Sequence, residues 1–104
     1  MLHPLKNLLS RSLARSPLGR QVRIAMILEG FAKIVEELYG EAGKKRIKPL
    51  YLKDKTLTVA TLSSVLAQEL KLKESVILGK INAKFGQGVV ENIRYITRED
   101  LLLI

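Results

Sequence analysis

Between Ile47 and Leu70 the chain reads IKPLYLKDKTLTVATLSSVLAQEL, and few folds accommodate that order of signals. Ile47–Lys53 is an apolar run carrying Pro49, which confines it to a sheet edge or a strand start because proline cannot donate to a ladder. Asp54-Lys55 falls where a tight turn is required. Thr56–Thr61 is rich in threonine and β-branched residues, with Leu57 and Val59 pointing one way and Thr58 and Ala60 the other. One face of this strand is therefore expected to be buried and the other largely polar. Ser63 or Ser64 is placed to cap the helix that follows. A lone hairpin is marginal in water, so this unit must bury one face against helices.

The flanking segments supply them. Leu5, Leu8, Leu9 and Leu13 repeat at helical spacing behind Pro4, predicting a short amphipathic helix over about residues 4–15. Ser16-Pro17 then restarts the chain, serine as cap and proline in the first turn. Ile24, Ile27, Leu28, Phe31, Ile34, Val35 and Leu38 form the clearest helical stripe. Gly30 inside it costs about 1 kcal/mol relative to alanine, which close approach of a packed element would explain. Gly40 and Gly43 are expected to end this helix, leaving Lys44-Lys45-Arg46 as a basic connector. After the serine pair, Leu66 and Leu70 share a face, and Lys71–Ser75 is expected to interrupt or bend the helix. Ile77, Leu78, Ile81 and Phe85 continue as an apolar arc up to Gly86-Gln87-Gly88. Val89–Ile96 reads as a third strand, with Ile93 and Tyr95 on one face and Val90, Arg94 and Ile96 on the other. The predicted class is α+β in the order α-α-β-β-α-β, a three-stranded sheet packed on helices on one face. The expected organisation is a basic amphipathic helix over 1–16, one domain over 17–97 and an apolar tail over 98–104.

Charge then narrows the function. The 104 residues carry a net charge of +8, and a basic balance favours an anionic partner, nucleic acid before membrane surface. The charges are segregated. Lys6, Arg11, Arg15, Arg20 and Arg23 precede the first carboxylate, Glu29, while Lys44, Lys45, Arg46, Lys48, Lys53 and Lys55 surround a single acid, Asp54. All of these except Lys6 are the candidate phosphate contacts, and they are expected to gather on one surface. Tyr51 among them is suited either to stacking on an unpaired base or to ordinary strand packing. With five aromatics in the chain, backbone-led binding of low sequence selectivity is the expectation. The tail Leu101, Leu102, Leu103 and Ile104 is a candidate partner-binding segment, unless it packs on its own domain.

Enzymatic signatures fail one by one. No cysteine is present, which rules out disulfides and thiolate metal sites and permits an intracellular setting. The single histidine, His3, has no second ligand near it in sequence. Gly43-Lys44 lacks the flanking residues of a phosphate-binding loop, with Leu38 and Lys45 at the deciding positions. Gly86-x-Gly88 ends a helix where a dinucleotide fingerprint would open one. Gly40-Glu41-Ala42-Gly43 has the spelling of a KH loop, but it joins a helix to a strand and carries an acid. Ser63 and Ser64 have no base. No cofactor and no metal are expected, and no segment has the roughly 18 consecutive apolar residues of a membrane span.

The stretch L-x-D-x-T-L-T-V-x-x-x-S-S-V-L-A-Q-E-L, from Leu52 to Leu70, resembles the core of the DciA family, bacterial proteins that act with the DnaB-type replicative helicase. The resemblance continues through Val76-Ile77-Leu78, Ile81-Asn82, Gly88-Val89-Val90 and Ile93-Arg94, and upstream through Ile24–Tyr39. It departs at Leu66, where the family usually has tryptophan. It implies a cytoplasmic, KH-like α-β-β-α-β domain without ATPase activity that binds single-stranded or forked DNA and helps place the helicase ring. Two alternatives accompany it: a KH-like RNA-binding module of translation or ribosome assembly, and a pure protein-interaction domain whose charge serves solubility.

Overall fold

The computed structural model describes residues 17–99. The expected N-terminal helix with His3, Arg11 and Arg15, and the tail residues Leu101, Leu102, Leu103 and Ile104, lie outside them. Helix α1 spans Pro17–Arg46, strand β1 Ile47–Lys53, strand β2 Thr56–Thr61, helix α2 Ser64–Leu72, helix α3 Glu74–Phe85 and strand β3 Asn92–Thr97. The sheet order is β1-β2-β3. β1 and β2 are antiparallel, whereas β2 and β3 are parallel, the α2–α3 pair making the crossover that a parallel connection demands. The class is α+β, as the sequence predicts.

The stripe on α1 is the centre of the core. Ile27, Phe31, Ile34 and Val35 are buried with Ile47, Leu57, Val59, Leu70, Ile77, Ile81, Val90 and Ile93. Gly30 explains itself here. A Cβ at this position would lie 2.5 Å from Cε2 of Phe85, so the missing methyl is what lets the end of α3 close on α1.

The C-terminal end of α1 differs from the expectation. Gly40 does interrupt the helix, adopting φ 76° and ψ −174°, a region open essentially to glycine alone. The chain then winds one more turn through buried Gly43 to Arg46. Lys44, Lys45 and Arg46 are thus the last turn of a helix and not a connector, a position where the helix dipole favours positive charge. Gly40 accordingly links two helical pieces, the second of which contains Gly43.

Strand β1 is an edge strand, consistent with Pro49, and it is bulged. Pairing runs Pro49 with Val59, then Tyr51 with Thr58, leaving Leu50 as the extra residue. The bulge resets the alternation, so Ile47, Pro49 and Leu52 align with the core-facing Thr61, Val59 and Leu57, whereas Lys48, Tyr51 and Lys53 share the second face. Asp54 and Lys55 turn the hairpin with φ 51° and 62°, the left-handed pair of a two-residue turn. The expected polar face of β2 is not found: Thr58 and Ala60 are buried as well. As the central strand, β2 sets these short side chains between longer ones in register, Tyr51 and Arg94 beside Thr58, and Lys48 and Ile96 beside Ala60.

Ser63 caps α2, its Oγ accepting from the Leu66 N–H at 3.3 Å. The expected interruption in 71–75 is a break at Lys73 between α2 and α3. β3 begins later than predicted because Val90 leaves the ladder for the core. There the Asn82 amide does a neighbouring strand's work, donating to the Val90 carbonyl at 3.0 Å and accepting from its N–H at 3.1 Å.

Candidate nucleic-acid interface

The expected basic surface separates into two groups. Arg20 and Arg23, on the first turns of α1, meet Lys53 and Lys55, at the end of the hairpin, around a cleft of about 600 Å³. Ile24, Ile27, Leu52 and Val89 are its apolar residues, and Gln87-Gly88 of the α3–β3 loop forms a further wall. Lys44, Lys45 and Arg46 lie beyond the other end of β1, whose six steps from Ile47 to Lys53 span about 20 Å in an extended strand. Lys48 falls between the groups on the second sheet face, with half-exposed Tyr51 and exposed Arg94 on that face.

The cleft is held in shape by contacts that leave cationic hydrogen-bonding capacity unused. Arg23 donates from Nη2 to the Phe85 carbonyl at 3.1 Å, fixing the guanidinium while its other N–H groups remain. The Lys55 carbonyl accepts from the Glu91 and Asn92 N–H groups at 2.8 and 3.2 Å, which ties the left-handed turn to the start of β3. Lys55 Nζ is 3.6 Å from a Glu91 carboxylate oxygen, an exposed pair worth well under 1 kcal/mol and easily exchanged for another anion. In the far group, Lys44 turns back to Glu36 at 3.7 Å. Arg20, Lys53, Lys45, Arg46 and Lys48 make no ion pair with a described carboxylate.

Sequence reading missed two features. The first is that Arg20 and Arg23 belong with the hairpin turn, not with the 44–46 block; no local signal pairs residues some thirty positions apart. The second is an apolar corner where α2 meets α3: Val65, Leu72 and Val76 are 75%, 83% and 52% exposed, bordered by exposed Lys71 and Lys73. Val65 and Leu72, seven residues apart on α2, share a side of that helix, while Val76 lies on α3 beyond the break at Lys73, so the interruption divides the apolar signal. Beneath this corner, Tyr95 donates its hydroxyl proton to Glu74 at 2.9 Å. Burial, then the hydrogen bond and charge of Glu74, and last Tyr39, push the Tyr95 phenol well above its ordinary value. Tyr39 is raised too, by burial and then by the charge of Glu69. Neither phenol is poised for acid–base chemistry near neutrality. Among the described residues no group of His, Cys, Asp and Glu is arranged to hold a metal ion. No helix among them is long and apolar enough to cross a membrane.

The family model described as "Dna[CI] antecedent, DciA" matches residues 4–95, nearly the whole domain just built. The chain belongs to the DciA family. No curated protein matches it. Membership connects the chain to replicative-helicase loading and agrees with the resemblance carried by Leu52–Leu70.

Proposed function

We propose that this DciA-family chain is a non-enzymatic adaptor that holds DNA, single-stranded or forked, while it assists loading of a DnaB-type helicase. The observation that carries the DNA part is the convergence of Arg20, Arg23, Lys53 and Lys55, from two separate segments, on one cleft. Each phosphate neutralised by such a cation releases counterions, which supplies affinity without reading sequence. Lys48, Tyr51 and Arg94 extend the contact over the second sheet face, and Lys45 and Arg46 continue it to the far end of β1. Arg11 and Arg15, outside the described residues, are further candidate phosphate contacts on this reading. The order α-β-β-α-α-β with its mixed sheet supports a KH-like description of the fold.

The helicase engages the apolar corner at Val65, Leu72 and Val76, and the apolar tail Leu101–Ile104 adds a second handle. Exposed aliphatic side chains gathered at one place are a protein contact more than a phosphate contact. Leu72→Glu tests this directly. Because Leu72 is 83% exposed, the change is expected to shift stability by no more than about 0.5 kcal/mol. Binding to purified DnaB-type helicase should weaken at least tenfold in a surface-immobilised assay, with DNA affinity unchanged. Unaltered helicase binding refutes the corner as the contact. DNA and RNA strands of matched sequence, titrated in parallel, separate the DNA reading from an RNA-binding module.

A further inference from the structure

The cleft between α1 and the hairpin is more than a stretch of cationic surface, because it has a floor. Resting on the reading that this surface binds nucleic acid, we propose that the cleft is a subsite for one nucleoside 5′-phosphomonoester. The phosphate sits on the cationic rim and the base on the apolar floor.

Three observations lead there. The first is charge matching. Arg20, Arg23, Lys53 and Lys55 face Asp54 within the cleft lining and Glu91 on Lys55. The balance is two uncompensated positive charges. A phosphomonoester carries about −1.5 to −2 at neutral pH, whereas an internal phosphodiester carries a single charge. The cleft therefore matches a terminal phosphate better than a point along a strand.

The second observation is size and lining. At about 600 Å³, the cleft lies within the range of small-molecule sites, roughly 300–1,000 Å³. Its floor includes Ile27, which is almost fully buried, so the opening reaches the core. Ile24, Leu52 and Val89 flank it, offering aliphatic surface to a base with no aromatic partner. A site for bare phosphate has no use for this floor.

The third is preorganisation. Arg23 is anchored on the Phe85 carbonyl. The turn at Asp54-Lys55 keeps two non-glycine residues in the left-handed region, at a cost of roughly 1–3 kcal/mol each, and the start of β3 pins it there. Gln87, exposed beside the opening, brings a donor and an acceptor to the edge of a seated base.

Two sources present this chemistry: the 5′ end of a strand, and a free mononucleotide. The test uses the full chain and fluorescence anisotropy with 3′-labelled oligothymidylates of equal length, bearing either a 5′-phosphate or a 5′-hydroxyl. The phosphorylated strand is expected to bind about tenfold more tightly, and Lys53→Gln or Arg20→Gln, both exposed, should reduce that ratio to about two or less. Thymidine 5′-monophosphate should compete for the preference at concentrations where inorganic phosphate does not. Equal binding of the two strands overturns the subsite while leaving the DNA-binding surface standing. Competition by inorganic phosphate as strong as that by the mononucleotide overturns the role of the floor and with it the proposal. Binding of mononucleotide without any oligonucleotide binding supports the subsite and removes the adaptor reading; binding of neither removes both.

Discussion

The separation of the basic residues along β1 makes the salt dependence of DNA binding a function of DNA length. The two groups stand about 20 Å apart, six steps of about 3.3 Å along the strand from Ile47 to Lys53. Phosphates follow one another at roughly 3.4 Å along a strand in B-form geometry, so about six are needed to bridge the groups, fewer if the strand is stretched. A tetranucleotide in B-form spacing therefore occupies the cleft alone, and a dodecanucleotide reaches both. For single strands each phosphate contact contributes about 0.7 to the slope of log K against log salt. Arg20→Gln with Lys53→Gln should lower the slope by about 1.4 on either length. Lys45→Gln with Arg46→Gln should lower it by about 1.4 on the dodecanucleotide and leave the tetranucleotide unchanged. All four side chains are exposed, and exposed substitutions of this kind typically change stability by no more than about 0.5 kcal/mol. The assay is anisotropy at four or five salt concentrations, with thermal melts of each variant as a control. If the 45/46 pair lowers the tetranucleotide slope as much as the 20/53 pair does, the two groups do not act as separate contacts and the reasoning fails.

Other outcomes follow from the packing and the phenols. Gly30→Ala gains up to about 1 kcal/mol of helix propensity but drives a methyl into Phe85; overpacking costs about 1–3 kcal/mol, so a net loss near 1 kcal/mol is expected in urea denaturation. Phe85→Leu added to it should recover more than it costs alone, and strict additivity of the two changes would contradict the contact. Tyr95→Phe removes the bond to Glu74, worth about 1 kcal/mol after allowing for partial exposure. Folding raises the Tyr95 value above that of the unfolded phenol, so its contribution is complete below about pH 10 and is lost as pH climbs above it. The difference in urea midpoint between wild type and Tyr95→Phe should thus be constant from pH 7 to 9 and shrink above 10; a difference that grows with alkalinity would reverse the assigned sign.

Much of the fold was legible because its signals are local. Pro49 marked an edge, Asp54-Lys55 a turn, Ser63 or Ser64 a cap, and the segment Lys71–Ser75 an interruption; each depends on neighbours within a few residues. What escaped depends on partners distant in sequence. Gly43 looks like a helix stop but is buried, because the turn it belongs to is wound again after Gly40. The bulge at Leu50 has no local signature beyond proline, and it decides that Tyr51 shares a face with Lys48. Thr58 and Ala60 look half-exposed until β2 is known to be central. Val90 looks like strand, but β2 begins at Thr56 opposite Asn92, and the Asn82 amide takes up the Val90 backbone groups instead. The cationic candidates can be read from the sequence, but their grouping cannot: Arg20 and Arg23 join Lys53 and Lys55 through the return of α1 along the sheet.

The parallel alignment of β3 on β2 sets an order of events at synthesis. The hairpin closes through two residues and can pair against α1 once Thr61 has emerged, on the microsecond scale of such turns. Its inner strand nevertheless keeps one flank unpaired until a further thirty-odd residues, two helices among them, have emerged and Thr97 is in place. A nascent chain paused in that interval displays the bare rim of a strand as apolar as LTVAT, a template for pairing with a neighbouring polypeptide. Slow codons or stalled ribosomes between Leu62 and Asn92 would therefore harm yield more than the same delay within α1.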